Sequence, residues 1–238
     1  VNGMVLHGLK AFSGAFFVFA DYMKPAARMA AIMNIPSTFI FSHDSIAVGE
    51  DGPTHEPIEQ LSMLRTTPNI NVFRPADANE TNYSYRFAME AKNTPNVIVL
   101  SRQDLEVKAI ATYEKFKKGA YVISDAKDFE GIIIATGSEV ELAINTQTLL
   151  AEDGINVRVV SMPCMELFNA QSEEYKETVL PSNCSKRLAL EMGAPHLWYR
   201  YASNVKGIET FGVSAPAKDA INSFGFTPEN IKKIYKAI

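Results

Sequence analysis

The chain has 238 residues, with 23 Lys and Arg against 27 Asp and Glu, for a formal net charge of −4. That balance gives no general attraction for nucleic acid or an anionic membrane, although a local basic patch can still hold a phosphate. Hydrophobic residues at 47% and charged residues at 21% suit a globular protein of one large or two small domains.

The chain does not begin with Met, and Val1–Gly8 reads as the middle of an uncapped helix, so a fragment is expected. The apolar run Ala15–Ala20 is too short to cross a bilayer, which takes roughly 20 residues, and no signal-peptide pattern opens the chain. Phe16, Phe19, Met23 and Ala27 recur at helical spacing and predict one helix from about Phe16 to Met33. Thr38–Ser42 is an apolar strand. The run His43–Pro57 then packs two histidines and several carboxylates among glycines and prolines, which predicts a rigid, irregular loop. Next come a helical segment, Ile58–Leu64, and a short strand, Asn71–Pro75. Asp77 and Glu80 are spaced as a capping box for a helix to about Lys92. Val97–Ser101 is apolar enough for a central parallel strand.

Between Asp104 and Glu130 no period is sustained, and the stretch reads as a crossover. Ile132–Gly137 is a buried strand, followed by Ser138 and Glu141 as a second capping box for a helix to about Glu152. Val157–Val160 and Leu188–Leu190 are further strands, and Gly207–Gly212 holds a short one. Thr227–Pro228 opens a terminal helix whose late lysines complement its dipole. The fold expected is α/β, with two three-layer domains of mainly parallel sheets, the first incomplete at its N-terminus. Residues 1–106 form the first domain, 107–129 the linker and 130–238 the second.

Some residues stand out on chemistry alone. In a parallel sheet the loops leaving the carboxyl ends line the ligand crevice, which places His43, Asp51 and His55 where proton donors and hydroxyl-binding groups are useful. The plain alternative is a polar surface loop. Phe16, Phe19 and Tyr22 share one face of the predicted helix and, on spacing alone, read as core. Arg102, ending a strand, suits either a phosphate or a structural ion pair. Thr136–Gly137–Ser138 could offer N–H groups to an anion, although an N-cap explains it more simply. His7 and His196 have no acidic or cysteine neighbours in sequence and read as structural or surface residues. Cys164 and Cys184 lack metal-ligand spacing and read as thiols of a reducing cytoplasm.

The motifs His43–Asp44–Ser45–Ile46, Asp51–Gly52–Pro53–Thr54–His55, Asn71–Val72–Phe73–Arg74–Pro75–Ala76–Asp77, Leu100–Ser101–Arg102–Gln103, Ile134–Ala135–Thr136–Gly137–Ser138–Glu139–Val140–Glu141 and Thr210–Phe211–Gly212–Val213–Ser214–Ala215–Pro216 together resemble the thiamine-dependent transketolases across essentially the whole chain. The related synthase of deoxyxylulose phosphate shares the Asp51–His55 motif but differs over His43–Ile46. The resemblance implies the later part of the pyrimidine-binding domain joined to the C-terminal domain. It also implies transfer of a two-carbon glycolaldehyde unit between sugar phosphates by a cytoplasmic homodimer that uses thiamine diphosphate and a Mg or Ca ion.

By the same resemblance, Phe16, Phe19 and Tyr22 line the cofactor's pyrimidine ring, with Phe16 stacking on it. His43, Asp51, His55 and Arg102 bind substrate, His55 moving a proton near the reacting carbons and Arg102 gripping the phosphate. The ring-protonating glutamate and the diphosphate and metal ligands have no counterpart here, so no metal ligand is assigned and the isolated chain is expected to be inactive. The alternatives are ketol transfer of the dihydroxyacetone synthase kind and a non-catalytic half of a split two-subunit enzyme.

Overall fold

Among the described residues nine strands form two sheets. The structure, a computed structural model, describes residues 1–108 and 111–238. The first sheet holds β1 (Phe12–Phe16), β2 (Thr38–Ser42), β3 (Asn71–Phe73) and β4 (Asn96–Leu100), all parallel in the order β1-β2-β4-β3. The second holds β5 (Tyr121–Ser124), β6 (Gly131–Ala135), β7 (Val157–Ser161), β8 (Arg187–Leu190) and β9 (Asn204–Lys206), in the order β5-β7-β6-β8-β9. Only β5 runs antiparallel to its neighbour. Helices α1 (Asn2–Leu6), α2 (Ala20–Ile32), α3 (Gln60–Arg65) and α4 (Ala78–Glu90) accompany the first sheet. With the second come α5 (Tyr113–Phe116), α6 (Glu139–Glu152), α7 (Met165–Asn169), α8 (Glu173–Val179), α9 (Ala217–Ser223) and α10 (Pro228–Lys236). The α/β class expected from the sequence is the class observed.

Central strands form where the apolar runs are continuous, because both faces of a parallel strand are covered. In β6, Ile133 joins Leu188 and Tyr235 on one side, while Ile132 and Ile134 join Val160 and Trp198 on the other. In the first sheet Phe39, Phe41, Val97 and Val99 share a core with Phe17 and Leu64. Asp77 accepts a hydrogen bond from the Glu80 N–H at 2.8 Å, while Glu80 reaches back to the Ala76 N–H at 2.8 Å. Thr227 caps α10 as expected. Among the described residues no helix is long and apolar enough to cross a membrane.

Four expectations need correction. The stretch Phe16–Met33 is not one helix: β1 ends at Phe16, a 3-10 turn covers Phe17–Phe19, and α2 begins at Ala20. The stretch read as a linker, 107–129, contains α5 and β5, and β5 pairs with β7 of the second sheet. The short strand placed at Gly207–Gly212 lies just before it, at β9. Ser138 makes no capping bond and instead donates to Glu139 at 2.6 Å.

The break at Phe16 separates two adjacent phenylalanines. Phe17 is fully buried, whereas Phe16 is 38% exposed. Phe17→Ala should therefore cost about 3–5 kcal/mol and Phe16→Ala about 1 kcal/mol or less. Urea denaturation of this chain measures both, and equal losses would contradict the division between core and surface.

Candidate functional site

Parallel register fixes where the site residues emerge. Phe16 lies beside Ser42, and Ser42 beside Leu100, so the loops leaving β1, β2 and β4 share one edge of the sheet. His43 follows directly with a left-handed φ of 64°, a conformation most side chains avoid. Its ring stacks on Phe16 at a centroid distance of 3.9 Å and an interplanar angle of 28°. Ser42 Oγ lies 2.9 Å from His43 Nδ1.

Burial lowers the His43 pKa, the Arg102 charge lowers it further, and Asp51 and Asp44 oppose both. Arg102 and Asp51 therefore lie within electrostatic reach of the imidazole, which stays neutral near pH 7 and can both donate and accept a proton. His55 follows a 3-10 turn over Gly52–Thr54, with Thr54 Oγ1 3.0 Å from its Nδ1. Phe19 meets the His55 ring edge-on at 5.8 Å and the Tyr22 ring at 6.2 Å. Phe16, Phe19 and Tyr22 are exposed rather than packed in the core, so they form an open aromatic wall beside both histidines. His7 and His196 are exposed and take no part. Cys164 and Cys184 are free thiols. Among the described residues no group of three His, Cys, Asp or Glu side chains could hold a metal ion.

Sequence reasoning gave no role to the charged cluster beneath this edge. Arg74, following β3, is fully buried. Its Nε donates to Asp44 Oδ2 at 2.8 Å, and its terminal nitrogens donate to both oxygens of Glu139. Arg65 donates to Glu191 at 2.8 and 2.9 Å, and the Trp198 indole N–H donates to the same carboxylate at 2.8 Å. Burial opposes the Arg74 charge, but Glu139 and Asp44 outweigh it and raise its pKa above the ordinary value. A charged residue directly after an apolar strand, as Arg74 and Glu191 are, is the signal that could have found the cluster.

The C-terminal part also grips the loop further along. Ser214 Oγ donates to the Glu50 carbonyl at 2.6 Å. A Cβ on Gly212 would overlap the Glu56 carboxylate, so a larger residue there would require the Glu56 side chain to move. Both Glu56 carboxylate oxygens are buried without a hydrogen-bonding partner. Burial pushes this carboxyl up to about 7, against the pull of the nearby Val213 backbone.

Two α/β units thus bring aromatic rings and two histidines together beyond the carboxyl edge of a parallel sheet. Residues 1–108 match the family model described as the transketolase pyrimidine-binding domain, and residues 119–227 match the transketolase-like C-terminal domain. The chain belongs to the transketolase family. It is 51% identical to the transketolase of Geobacillus stearothermophilus, covering 100% of this chain and 37% of that protein. The transketolase structure from Leishmania mexicana matches at 39% identity with a TM-score of 0.96, covering 99% of this chain and 35% of that one. A Pichia stipitis transketolase in complex with sedoheptulose 7-phosphate matches at 41% identity and a TM-score of 0.93, covering 96% and 34%. The chain therefore spans about a third of the length of the curated relatives it matches, 37% in the case of the Geobacillus protein.

The Glu56 carboxyl generates a pH prediction. Between about 4.5 and 7 the folded chain holds a proton that the unfolded chain releases, so stability should fall as pH rises through that window. Glu80, also raised to about 7 by burial, adds a slope of the same sign. Urea midpoints from pH 5 to 8 should therefore flatten, but not level, in Glu56→Gln. A profile parallel to the parent's would mean that Glu56 titrates as an ordinary carboxylate.

Proposed function

We propose that this chain supplies the pyrimidine-ring wall and the sugar-binding edge of a transketolase. The assembled enzyme transfers a two-carbon glycolaldehyde unit from a ketose phosphate to an aldose phosphate. The observation that carries this reading is the stacking of His43 on Phe16 at one sheet edge, with the charges of Asp51 and Arg102 both acting on that imidazole. The sugar phosphate bound by the Pichia stipitis relative supports the substrate class.

The aromatic wall fits a flat heterocycle. Phe16, Phe19 and Tyr22 keep ring surface open beside the histidines, at a cost that a core position would not carry. These three residues would hold the pyrimidine ring of thiamine diphosphate. When bound, that cofactor supplies the electron sink that allows a carbon–carbon bond beside a carbonyl to break. Its diphosphate and a Mg or Ca ion are assigned to parts of the family outside the third matched here.

Each protein group then has a defined task. Arg102 presents a planar cation to the sugar phosphate. Asp51 accepts a hydrogen bond from a substrate hydroxyl, and an epimer that leaves this acceptor unpaired is disfavoured. Neutral His43 binds a hydroxyl, and His55 accepts and returns the proton of the hydroxyl at the bond being cleaved. The reading includes a cytoplasmic homodimer. The free cysteines suit a reducing compartment, and Phe12, Tyr22, Met29 and Ile32 leave an exposed apolar strip along β1 and α2 that a second subunit would cover.

The 238-residue chain alone should show no ketol transfer with thiamine diphosphate and Mg²⁺ in a coupled assay. In the complete enzyme, Arg102→Ala should chiefly raise KM for phosphorylated sugars and spare free sugars. His55→Ala should lower kcat for both by about 10²–10⁴-fold. Equal losses for the two sugar types in Arg102→Ala, or an unchanged kcat in His55→Ala, would remove the corresponding assignment.

A further inference from the structure

The second sheet reverses its strand order at β6, with β7 on one side and β8 on the other. In open α/β sheets the crevice outside the carboxyl ends at such a point is where ligands settle. Here it is filled by a side chain from the other sheet. The Thr136 hydroxyl and the Gly137 N–H, directly after β6, donate to the Arg74 carbonyl at 3.0 and 3.1 Å. The Arg74 N–H donates to the carbonyl of Pro163, after β7, at 2.9 Å. A Cβ on Gly137 would lie 2.8 Å from the Arg74 guanidinium carbon, so glycine makes the room the cation occupies. Glu139, at the start of α6, and Glu191, after β8, supply the carboxylates on this side.

The opposite side of the same guanidinium meets Asp44. Asp44 follows His43, whose left-handed backbone turns its ring onto Phe16. That conformation persists only where its surroundings enforce it. Asp44 is itself buried and tied to a cation that the second sheet holds in place.

We propose that Arg74 is a positioning residue of the sugar site: the second sheet binds its guanidinium as an internal ligand, and the guanidinium, through Asp44, fixes the turn that places His43 against Phe16. The C-terminal domain thereby acts on a site carried by the first sheet. The inference rests on the reading of His43 as a sugar-binding residue.

Two arms test it separately. In the 238-residue chain, the His43 ring resonances in proton–carbon NMR report its stacking on Phe16. Glu139→Gln and Arg74→Lys should shift these resonances and leave those of His7 and His196 unchanged. The matched control is Glu80→Gln. Glu80 is also buried and also bridges the two units, accepting from Tyr121 and Ser161 at 2.7 Å each, yet it has no hydrogen bond to the His43 turn. It should lower the unfolding midpoint without moving the His43 signals. Where Arg74→Lys fails to fold, Glu139→Asp keeps the charge and carries the same test.

In the complete enzyme, Arg74→Lys should reduce kcat/KM by about 10²-fold, the scale of a misplaced site group. Combined with His43→Ala it should add little, because both changes act through one residue. Unmoved His43 signals in Glu139→Gln, or fully additive losses in the double variant, would overturn the proposal. A parent enzyme without ketol transfer would overturn the functional reading instead, while the resonance arm would still decide the positioning.

Discussion

A guanidinium with no exposed surface, shared by carboxylates from both sheets, joins the two halves of this molecule. Burying Arg74 is unfavourable by itself, and the charge survives because Asp44 and Glu139 lie against it. Arg65 and Glu191 extend the cluster, giving two cations against three carboxylates. Neutral donors meet part of the surplus, the Trp198 indole at Glu191 and the Met192 N–H and Ser138 hydroxyl at Glu139, while Asp44 Oδ1 is buried without a hydrogen-bonding partner. A network of this kind contributes little net stability over a well-packed apolar seam, but removing one member leaves an uncompensated buried charge and costs about 3–5 kcal/mol. The network therefore defines the relation between the two sheets more sharply than it stabilises it.

That definition matters because the site is built from loops. Strands β1, β2 and β4 are held by backbone ladders, but the residues just beyond them have no ladder partners. His43 leaves the sheet in a left-handed turn, Asp51 precedes a 3-10 turn, and Arg102 lies past the end of β4. The C-terminal part restrains this edge at two points, through Arg74 at Asp44 and through the Ser214 and Gly212 contacts at Glu50 and Glu56. The first contact is ionic, and the second combines a hydrogen bond with close packing. Between them they brace both ends of the loop that carries His43, Asp51 and His55.

The strands were legible because parallel strands covered on both faces write themselves as unbroken apolar runs, as at Phe39–Phe41, Val97–Val99 and Ile132–Ile134. Strand β5 was not, because an antiparallel edge strand with alternating burial looks like loop when lysines precede it. The aromatic series misled on structure. Phe16, Phe19 and Met23 match a helical period, yet Phe16 ends a strand and its neighbour Phe17 turns into the core. The functional loop stood out in the sequence through its chemistry and its family resemblance. The charged cluster did not, because its pairs join residues 65 positions apart for Arg74 and Glu139 and 126 apart for Arg65 and Glu191, and no local pattern encodes such a pairing.

Apolar clusters also cross between the two units, Ile46 and Ile58 with Met192 and Phe226, and Phe73 and Ile98 with Phe116 and Cys164. Apolar contacts, however, are non-directional and tolerate small rotations of one unit over the other. A guanidinium donates in a fixed planar fork, so a carboxylate pair accepts it in few orientations. Asp44 and Glu139 approach Arg74 from different sheets, and satisfying both fixes translation and rotation together. Gly137, which has no Cβ, leaves the room that lets the guanidinium reach both. A site whose imidazole must sit against one face of one ring has more to gain from such a joint than from additional buried area.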